Sequence, residues 1–327
     1  MKAGIYHEVG DADVIKYEDA EVPSPGADDV LIRVKACAMN SLDTRLRSGK
    51  SPRPVDLPHI GGIDISGEVK EAGKSVWGVF PGDRVVVNPA VKTGGGVSVI
   101  GVNRQGGFAE FVTVPAVNVC KIPDALSHDD ACTLPICYVT ALYGLVGRGG
   151  LEKGETVVVH AAGSGSGTAA IQVAKHLGAK VIATAGSDEK LGKARELGAD
   201  ETVNYRTEDF SRVIKGGVDV VFDPVGAAHW EKNIKILKSG GRLLLVGVVG
   251  GGVVDKFSIG PVIMRDISAI GVTVFNAPHS MLKECVEMAA GGTVTPVIGR
   301  KFPLSDLAGA HKALESAGQF GKVVVNP

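Results

Sequence analysis

TVVVHAAGSGSGTAAIQVAKHLGAKVIATAGS, residues 156–187, contains the pattern from which the architecture of this chain follows. Residues 156–160 are apolar and β-branched, which is typical of a strand buried on both faces. Apolar side chains recur at helical spacing from residue 168 to residue 177, and residues 180–185 form a second strand pattern. A strand, a glycine-rich turn, a helix and a strand in this order predict a dinucleotide-binding unit.

The turn of this unit holds three glycines, Gly163, Gly165 and Gly167, with Ser164 and Ser166 between them. Glycine allows a tight turn and lets a pyrophosphate approach bare backbone, while unpaired amides at the helix start can face its phosphates. A glycine triplet alone also fits an ordinary strand-to-helix turn. The flanking elements, and a third strand pattern about forty residues further on, favour the nucleotide site.

The end of the second strand indicates which dinucleotide binds. NAD enzymes usually carry an acid there for the ribose hydroxyls, whereas this chain has Ala185. Gly186, Ser187 and Lys190 follow, and a small residue, a hydroxyl and a cation can surround a 2′-phosphate. The sequence therefore predicts NADPH.

Two alternatives remain open at this position. Lys190 could be a solvated helix residue paired with nearby Glu189 or Asp188. In a shifted register, Asp188 could instead approach the ribose as the acid of an NAD site.

Length and charge limit the other possibilities. A chain of 327 residues exceeds the usual size of one core, so two domains are expected.

With 35 basic and 36 acidic residues in no like-charged block, neither nucleic acid nor a membrane surface is an expected partner. No secretory signal is recognised, and the longest apolar run, residues 243–254, is too short to span a bilayer. Five scattered cysteines without a close pair favour a cytoplasmic location.

The pattern of elements predicts an α/β fold with two kinds of domain. Residues 1–139 contain short β-type runs, which indicate a β-rich domain, and residues 275–327 are expected to return to it. Residues 140–274 alternate strand and helix patterns, which indicates a doubly wound parallel sheet of the Rossmann type. The cleft between these domains is expected to bring cofactor and substrate together. The strands expected within the first region include Asp29–Ala36, Gly67–Glu71, Arg84–Asn88 and Glu110–Pro115, and those within the second include Val218–Phe222 and Arg242–Val249.

With these residues in hand, the chain resembles the medium-chain dehydrogenases/reductases over its whole length. The resemblance implies a split GroES-like catalytic domain and a Rossmann domain. It also implies homodimers or homotetramers joined by the last Rossmann strand, here about Ser268–Phe275. The matching blocks include VKACAMNSLDTRLRSG at 34–49, GGIDISGEV at 61–69, GDRVV at 82–86, GGFAEFVTVP at 106–115, LPICYVTALYGL at 134–145 and FGKVVV at 320–325.

The departures from this family concern zinc. Asn40 and Ser41 stand where many relatives have a Cys-His pair, and Gly62-Ile63-Asp64 stands where they have Gly-His-Glu. Residues 89–107 replace the four-cysteine lobe of the structural zinc. Since catalytic zinc needs about three protein ligands, no metal is expected. An atypical site built from Asp64, Cys137 and His59 remains the alternative.

Without zinc, the pattern resembles the quinone oxidoreductases and enone reductases of the family. The resemblance implies that Asn40 lies beside the nicotinamide, that Thr140 contacts its side, and that Lys190 and Tyr205 bind the 2′-phosphate. Tyr205 could otherwise simply pack against the sheet edge.

The same resemblance assigns Gly247, Phe275, Gly321 and Lys322 to the cofactor, although residues 320–322 also read as a plain strand start. Asp43 is expected to hold the fold around the site rather than act as a base.

The function expected from these residues is NADPH-dependent hydride transfer to a quinone or an α,β-unsaturated carbonyl. In the absence of a Lewis acid, Asn40 and Ser41 are the expected hydrogen-bond donors to the developing oxyanion. Two alternatives stay open: an alcohol dehydrogenase or ketone reductase with an atypical metal or none, and a weakly catalytic NADPH-binding protein.

Overall fold

The chain folds into two units in the computed structural model, which describes residues 1–51 and 54–327. The β-rich unit comprises Met1–Ile136, Pro278–Gly292 and Pro296–Pro327, and the parallel-sheet unit comprises Cys137–Ala277 with Thr293–Thr295. The sequence analysis placed the two domain boundaries after residues 139 and 274, and each lies three residues from the boundary in the structure.

Strands and helices are numbered in chain order. The strands are β1 (Lys2–Tyr6), β2 (Ile15–Asp19), β3 (Asp29–Ala38), β4 (His59–Ile60), β5 (Asp64–Ala72), β6 (Arg84–Val87), β7 (Ala90–Thr93), β8 (Gly96–Val99), β9 (Phe111–Pro115), β10 (Val119–Lys121), β11 (Thr156–Val159), β12 (Lys180–Ala185), β13 (Glu201–Asn204), β14 (Val218–Asp223), β15 (Leu237–Leu245), β16 (Ser268–Gly271), β17 (Ile298–Pro303) and β18 (Lys322–Asn326). The helices are α1 (Ser41–Arg47), α2 (His128–Ala131), α3 (Val139–Leu142), α4 (Gly165–His176), α5 (Asp188–Glu196), α6 (Phe210–Val213), α7 (Trp230–Ile236), α8 (Gly260–Met264), α9 (His279–Ala290) and α10 (Leu307–Glu315).

The parallel-sheet unit contains six strands in the order β13-β12-β11-β14-β15-β16, and every neighbouring pair is parallel. Valines of β11 and β14 are fully buried, as strands covered by helices on both faces require. The strand order reverses between β11 and β14. Ligands of such sheets bind at the carboxyl ends of the strands at this reversal.

The β-rich unit is built around β3. Its seven-stranded sheet has the order β10-β6-β5-β3-β18-β17, and β9 also pairs with β3. A three-stranded sheet, β2-β1-β4, lies in the same unit. In the large sheet Ala38 of β3 pairs with Asp64 of β5 on one side and Val324 of β18 on the other. This register determines which side chains meet just beyond the end of β3.

The structure confirms several predicted elements and corrects the bounds of others. β12 spans residues 180–185 as predicted. α4 begins at Gly165 rather than at residue 168, because Ser164 caps it and Gly165 and Gly167 are part of its first turn. The strand predicted at 242–249 is β15, which ends at Leu245. The predicted strand 268–275 ends at Gly271, and Phe275 lies in the short helical turn Val274–Asn276.

The sequence analysis missed some elements altogether. β7 and β8 form a hairpin within residues 89–107, where no strand was predicted. β13 was also missed. Among the described residues, one helical stretch, His128–Arg148, has the length and hydropathy to cross a membrane, and 72% of its most apolar part is buried inside the protein.

The β-rich unit also buries a histidine that the sequence analysis did not single out. His311 on α10 is 2% exposed, meets the ring of Phe108 edge-on at 6.0 Å, and has no hydrogen-bond partner for Nδ1 among the described residues. Its ring lines a cavity with room for about one water molecule, together with Tyr6 and Asp43. Burial, with a contribution from the Arg47 cation, lowers the pKa of His311 to about 3.

We predict that His311→Leu weakens the acid sensitivity of the fold. The folded pKa lies below the unfolded value of 6.5, so the unfolded chain alone takes up this proton as the pH falls. The group's contribution to stability is thus complete above pH 6.5 and is lost towards pH 3. Between pH 7.5 and pH 5, the free energy of unfolding should fall by about 2 kcal/mol less in the variant than in the wild type.

Urea denaturation at the two pH values measures this difference. His176→Leu, which removes an exposed imidazole from α4, is the control and should behave as the wild type. The same pH dependence in His311→Leu and wild type would contradict the prediction.

Candidate functional site

The glycine turn forms the N-terminal end of α4. Ser164 Oγ accepts a hydrogen bond from Gly167 N at 3.0 Å and so caps the helix. A Cβ on Gly167 would collide with the backbone oxygen of Ala161, so only glycine lets the helix approach the end of β11 this closely. The first amides of this twelve-residue helix carry partial positive charge. The turn therefore fits a pyrophosphate.

A cluster of polar side chains lies at the end of β12. A Cβ built on Gly186 would lie 2.8 Å from the Tyr205 hydroxyl and 3.1 Å from Arg206 Nε, so both groups crowd against this glycine. Tyr205 is 46% exposed. Partial burial lowers the pKa of Lys190, the Glu189 carboxylate opposes this shift, and the Arg206 guanidinium adds to it. A guanidinium and a phenol thus crowd against Gly186, and the Lys190 ammonium lies within electrostatic range of that guanidinium.

Ser187 and Asp188 are both engaged locally. Ser187 caps α5 by accepting from Lys190 N at 3.4 Å. Asp188 Oδ1 accepts a hydrogen bond from Asn204 Nδ2 at 2.9 Å, which ties this carboxylate to the end of β13. The Asp188 carboxylate is thus directed to an amide.

A buried polar chain lies beneath the glycine turn. His160 Nε2 is 2.8 Å from Asn233 Oδ1, Asn233 Nδ2 donates to Asp223 Oδ2 at 2.9 Å, and His160 Nδ1 is 2.8 Å from Thr184 Oγ1. Because Asn233 Oδ1 can only accept, the His160 proton belongs on Nε2 and Thr184 donates to Nδ1. Burial lowers the pKa of His160 to about 3, so the imidazole is neutral. This chain links the carboxyl ends of β11, β12 and β14.

Asn40, Asp64 and Lys322 form a closed triangle of hydrogen bonds just beyond the end of β3. Lys322 Nζ donates to Asn40 Oδ1 at 2.8 Å and to Asp64 Oδ2 at 2.9 Å, and Asn40 Nδ2 donates to the same Asp64 oxygen at 3.0 Å. Asp64 Oδ1 accepts from Ile136 N at 3.0 Å. Lys322 is 5% exposed and Asp64 is fully buried. Burial raises the pKa of the Asp64 carboxyl, and the Lys322 ammonium opposes that rise.

Asp43 holds the backbone around this triangle. Its Oδ2 accepts from Asn40 N at 2.7 Å and its Oδ1 accepts from Gly62 N at 3.1 Å. Burial raises the pKa of Asp43 to about 7. The carboxyl group therefore joins the start of α1 to the loop that precedes β5.

Comparisons with known proteins identify relatives that have the same two kinds of domain. Residues 26–124 match the alcohol dehydrogenase GroES-like domain, and residues 165–291 match the zinc-binding dehydrogenase family. The chain is 30% identical to the quinone oxidoreductase of Homo sapiens, over 99% of this chain and 97% of that one. It is 33% identical to the chloroplastic NADPH-dependent alkenal/one oxidoreductase of Arabidopsis thaliana, over 100% and 80%. The crystal structure of an NAD-dependent alcohol dehydrogenase superposes with a TM-score of 0.95 at 37% identity, with both chains covered completely.

The chain belongs to the medium-chain dehydrogenase/reductase superfamily. It is therefore an oxidoreductase with a GroES-like unit and a Rossmann unit, and a nicotinamide dinucleotide is its cofactor. The glycine turn at the head of α4 and the cations beside Gly186 are the residues that fit this cofactor.

The residues at the zinc position of the superfamily do not fit a catalytic zinc. Both oxygens of Asp64 already accept hydrogen bonds, and His59 is buried with Nε2 3.1 Å from the Gly101 carbonyl oxygen. Within residues 1–51 and 54–327, no group of three His, Cys, Asp or Glu side chains could hold a metal ion.

The remaining predicted site residues lie in both units. Ser41 is exposed at the first position of α1, whereas Thr140 on α3 is buried. Gly321 has a φ of +91° beside Val297, which restricts that position to glycine. Gly247 follows β15 and approaches Pro224. Lys322, expected at the cofactor, has its ammonium on Asn40 and Asp64 in this structure.

Sequence reasoning missed Arg206, the chain of His160, Asn233 and Asp223, and the pairing of Lys322 with Asp64. Arg206 follows Tyr205 directly, so the 2′-phosphate argument could have included it. Asp223 closes an otherwise apolar strand pattern, which is also a visible signal. The pairing of Lys322 with Asp64 spans 258 positions and depends on the docking of β18.

Proposed function

We propose that this protein is an NADPH-dependent reductase that delivers hydride to a quinone or an α,β-unsaturated carbonyl without a catalytic metal. The observation that carries the proposal is the Asn40 amide, which is held by Asp64 and Lys322. The sequence resemblance implies that Asn40 stands where zinc relatives have a metal ligand. Relatives named as quinone and alkenal/one oxidoreductases support the substrate class. A cytoplasmic location is part of the same proposal.

Lys190, Arg206, Tyr205 and Ser187 are the proposed partners of the 2′-phosphate. Each charge-assisted hydrogen bond to a phosphate contributes about 1.5–3 kcal/mol. The engagement of Asp188 with Asn204 supports this choice over NADH, because an acid at the ribose would repel the phosphate. Thr140, Gly247, Phe275 and Gly321 remain proposed cofactor contacts.

The chain's own residues supply the electrostatic part of the reaction. NADPH supplies the hydride when bound. As hydride adds to a carbonyl compound or a quinone, negative charge develops on the acceptor oxygen. The second Nδ2 hydrogen of Asn40 and the exposed hydroxyl of Ser41 are the proposed donors to that oxygen, and a solvent molecule completes the protonation. Asp43 keeps the backbone of Asn40 in place.

A second candidate is an alcohol dehydrogenase or ketone reductase, which the superposition on an NAD-dependent alcohol dehydrogenase favours. Oxidation of secondary alcohols by NAD⁺ at rates matching quinone reduction would establish it. Tight NADPH binding without turnover of quinones, enals or ketones would instead indicate a binding protein.

We propose that two copies associate through the edge of the Rossmann sheet. The edge strand β16 is largely exposed, and Ile263 and Met264 before it are exposed apolar side chains. Sedimentation equilibrium should show a particle of at least twice the 33.7 kDa of one chain; a monomer would refute this part of the proposal.

We predict that Arg206→Ala raises KM for NADPH about tenfold to a hundredfold, since it removes one charge-assisted contact to the 2′-phosphate. KM for NADH should not change, because NADH lacks that phosphate. Initial rates with each cofactor measure the effect. Arg212→Ala, which removes an exposed cation from α6, is the control. An equal effect of Arg206→Ala on both cofactors would count against NADPH selectivity at this position.

We predict that Asn40→Ala lowers kcat about a hundredfold to a thousandfold, the usual cost of losing one donor to an oxyanion. The dissociation constant of NADPH, measured by fluorescence titration, should stay unchanged because the proposed contacts to the cofactor's phosphates are other residues. Stopped-flow oxidation of NADPH by a quinone gives the rate, and thermal melting reports whether the variant is folded. A folded variant with the wild-type rate would remove Asn40 from the mechanism.

A further inference from the structure

The Asn40 amide is bound at both ends by opposite charges. Its carbonyl oxygen accepts from the Lys322 ammonium, and one of its two Nδ2 hydrogens is donated to the Asp64 carboxylate. These two charges also pair with each other at 2.9 Å inside the protein. The amide thus bridges the two charges of a buried ion pair.

This arrangement permits only one orientation of the amide. A rotation by 180° would place the NH₂ group against the ammonium and the carbonyl oxygen against the carboxylate, and both contacts would be repulsive. The same Nδ2 hydrogen therefore always faces Asp64. Because the amide group is planar, the second Nδ2 hydrogen also points in a constant direction.

The ion pair also changes the strength of the amide as a donor. A cation on the carbonyl oxygen draws electron density away from the nitrogen, and hydrogen bonds in a chain polarise one another in a medium of low dielectric constant. The Lys322 side chain is 5% exposed, so water screens its charge poorly. The remaining N–H should consequently bind a negatively charged oxygen more strongly than an ordinary asparagine does.

Stability alone is a weak explanation for such a pair. Burying two charges costs desolvation that their attraction often only balances, and apolar residues of similar volume are frequently no less stable. The sheet register sets this pair directly beside Asn40.

We propose that Asp64 and Lys322 are positioning residues for Asn40: their ion pair fixes the direction of the free edge of the amide, and the Lys322 ammonium strengthens its donor. This inference rests on the proposed role of Asn40 as the donor to the substrate oxygen. In this view the tethered ammonium takes over part of the polarising role that a metal ion has in zinc relatives.

The test compares Lys322→Met with the double variant Asp64→Asn/Lys322→Met. The single variant leaves Asp64 buried without its cation, whereas the double variant removes both charges and keeps the volume. If the pair served folding alone, the double variant would recover both stability and kcat. We expect it to recover the melting temperature but to keep kcat about tenfold to a hundredfold below the wild type, with KM and the NADPH dissociation constant little changed.

Two further variants complete the design. Lys322→Arg keeps a cation with several donors, so its kcat should exceed that of Lys322→Met even if the latter folds poorly. Arg242→Met breaks the ion pair with Glu155 in the Rossmann unit and should lower stability while leaving kcat unchanged. A wild-type kcat in the folded double variant would overturn the inference.

A second readout does not depend on turnover. The side-chain amide signals of Asn40 in a ¹⁵N–¹H spectrum can be assigned by their loss in Asn40→Asp. In the wild type they should be displaced from those of exposed asparagines, and in the double variant they should move towards them. If no quinone or enone is reduced by the wild type, the proposed function fails while this spectrum still decides whether the pair polarises Asn40. Identical Asn40 signals in wild type and double variant would contradict the inference.

Discussion

The pairing of β3 with β5 on one side and β18 on the other is the constraint on which the catalytic half of this protein depends. Ala38 is opposite Asp64 in one pair and opposite Val324 in the other. Since Asn40 follows β3, Asp64 begins β5 and Lys322 begins β18, three side chains from distant parts of the sequence meet within hydrogen-bond distance. Backbone hydrogen bonds of the sheet thus hold a charged pair against an amide, and the amide gains a defined direction.

The Rossmann unit also brings distant residues together, but it does so at the carboxyl ends of its parallel strands. Six parallel strands present their carboxyl ends at one edge, where the glycine turn, the His160–Asn233–Asp223 chain and the Gly186 cluster all lie. A neutral His160 satisfies polar groups beneath the turn without adding charge near a pyrophosphate. The charges that we propose select the cofactor are instead on Lys190 of α5 and on Arg206, which follows β13. Under this proposal, binding of the pyrophosphate and discrimination by the 2′-phosphate use different residues.

Much of this organisation could be predicted from the sequence, because it depends on local patterns. The βαβ unit at 156–187, the family, and the replacement of zinc ligands by Asn40, Ser41 and Ile63 are all visible in short segments. The bounds of β15 and β16 were wrong because apolar residues continue past the last strand hydrogen bonds. The partner of Lys322 could not be predicted, since the sheet register that joins β18 to β3 is not encoded in any local motif. The same holds for Asn233, which reaches His160 only because α7 packs on the sheet.

The most direct measurement of whether hydrogen-bond donors replace a metal here is the rate of NADPH oxidation by a quinone in protein of known metal content. The protein is treated with a chelator, analysed by mass spectrometry for zinc, and assayed before and after zinc is added back. We expect the full rate in protein that contains far less than one zinc per chain, and no gain on addition of zinc. Loss of the rate on chelation, with recovery on addition of stoichiometric zinc, would contradict this mechanism.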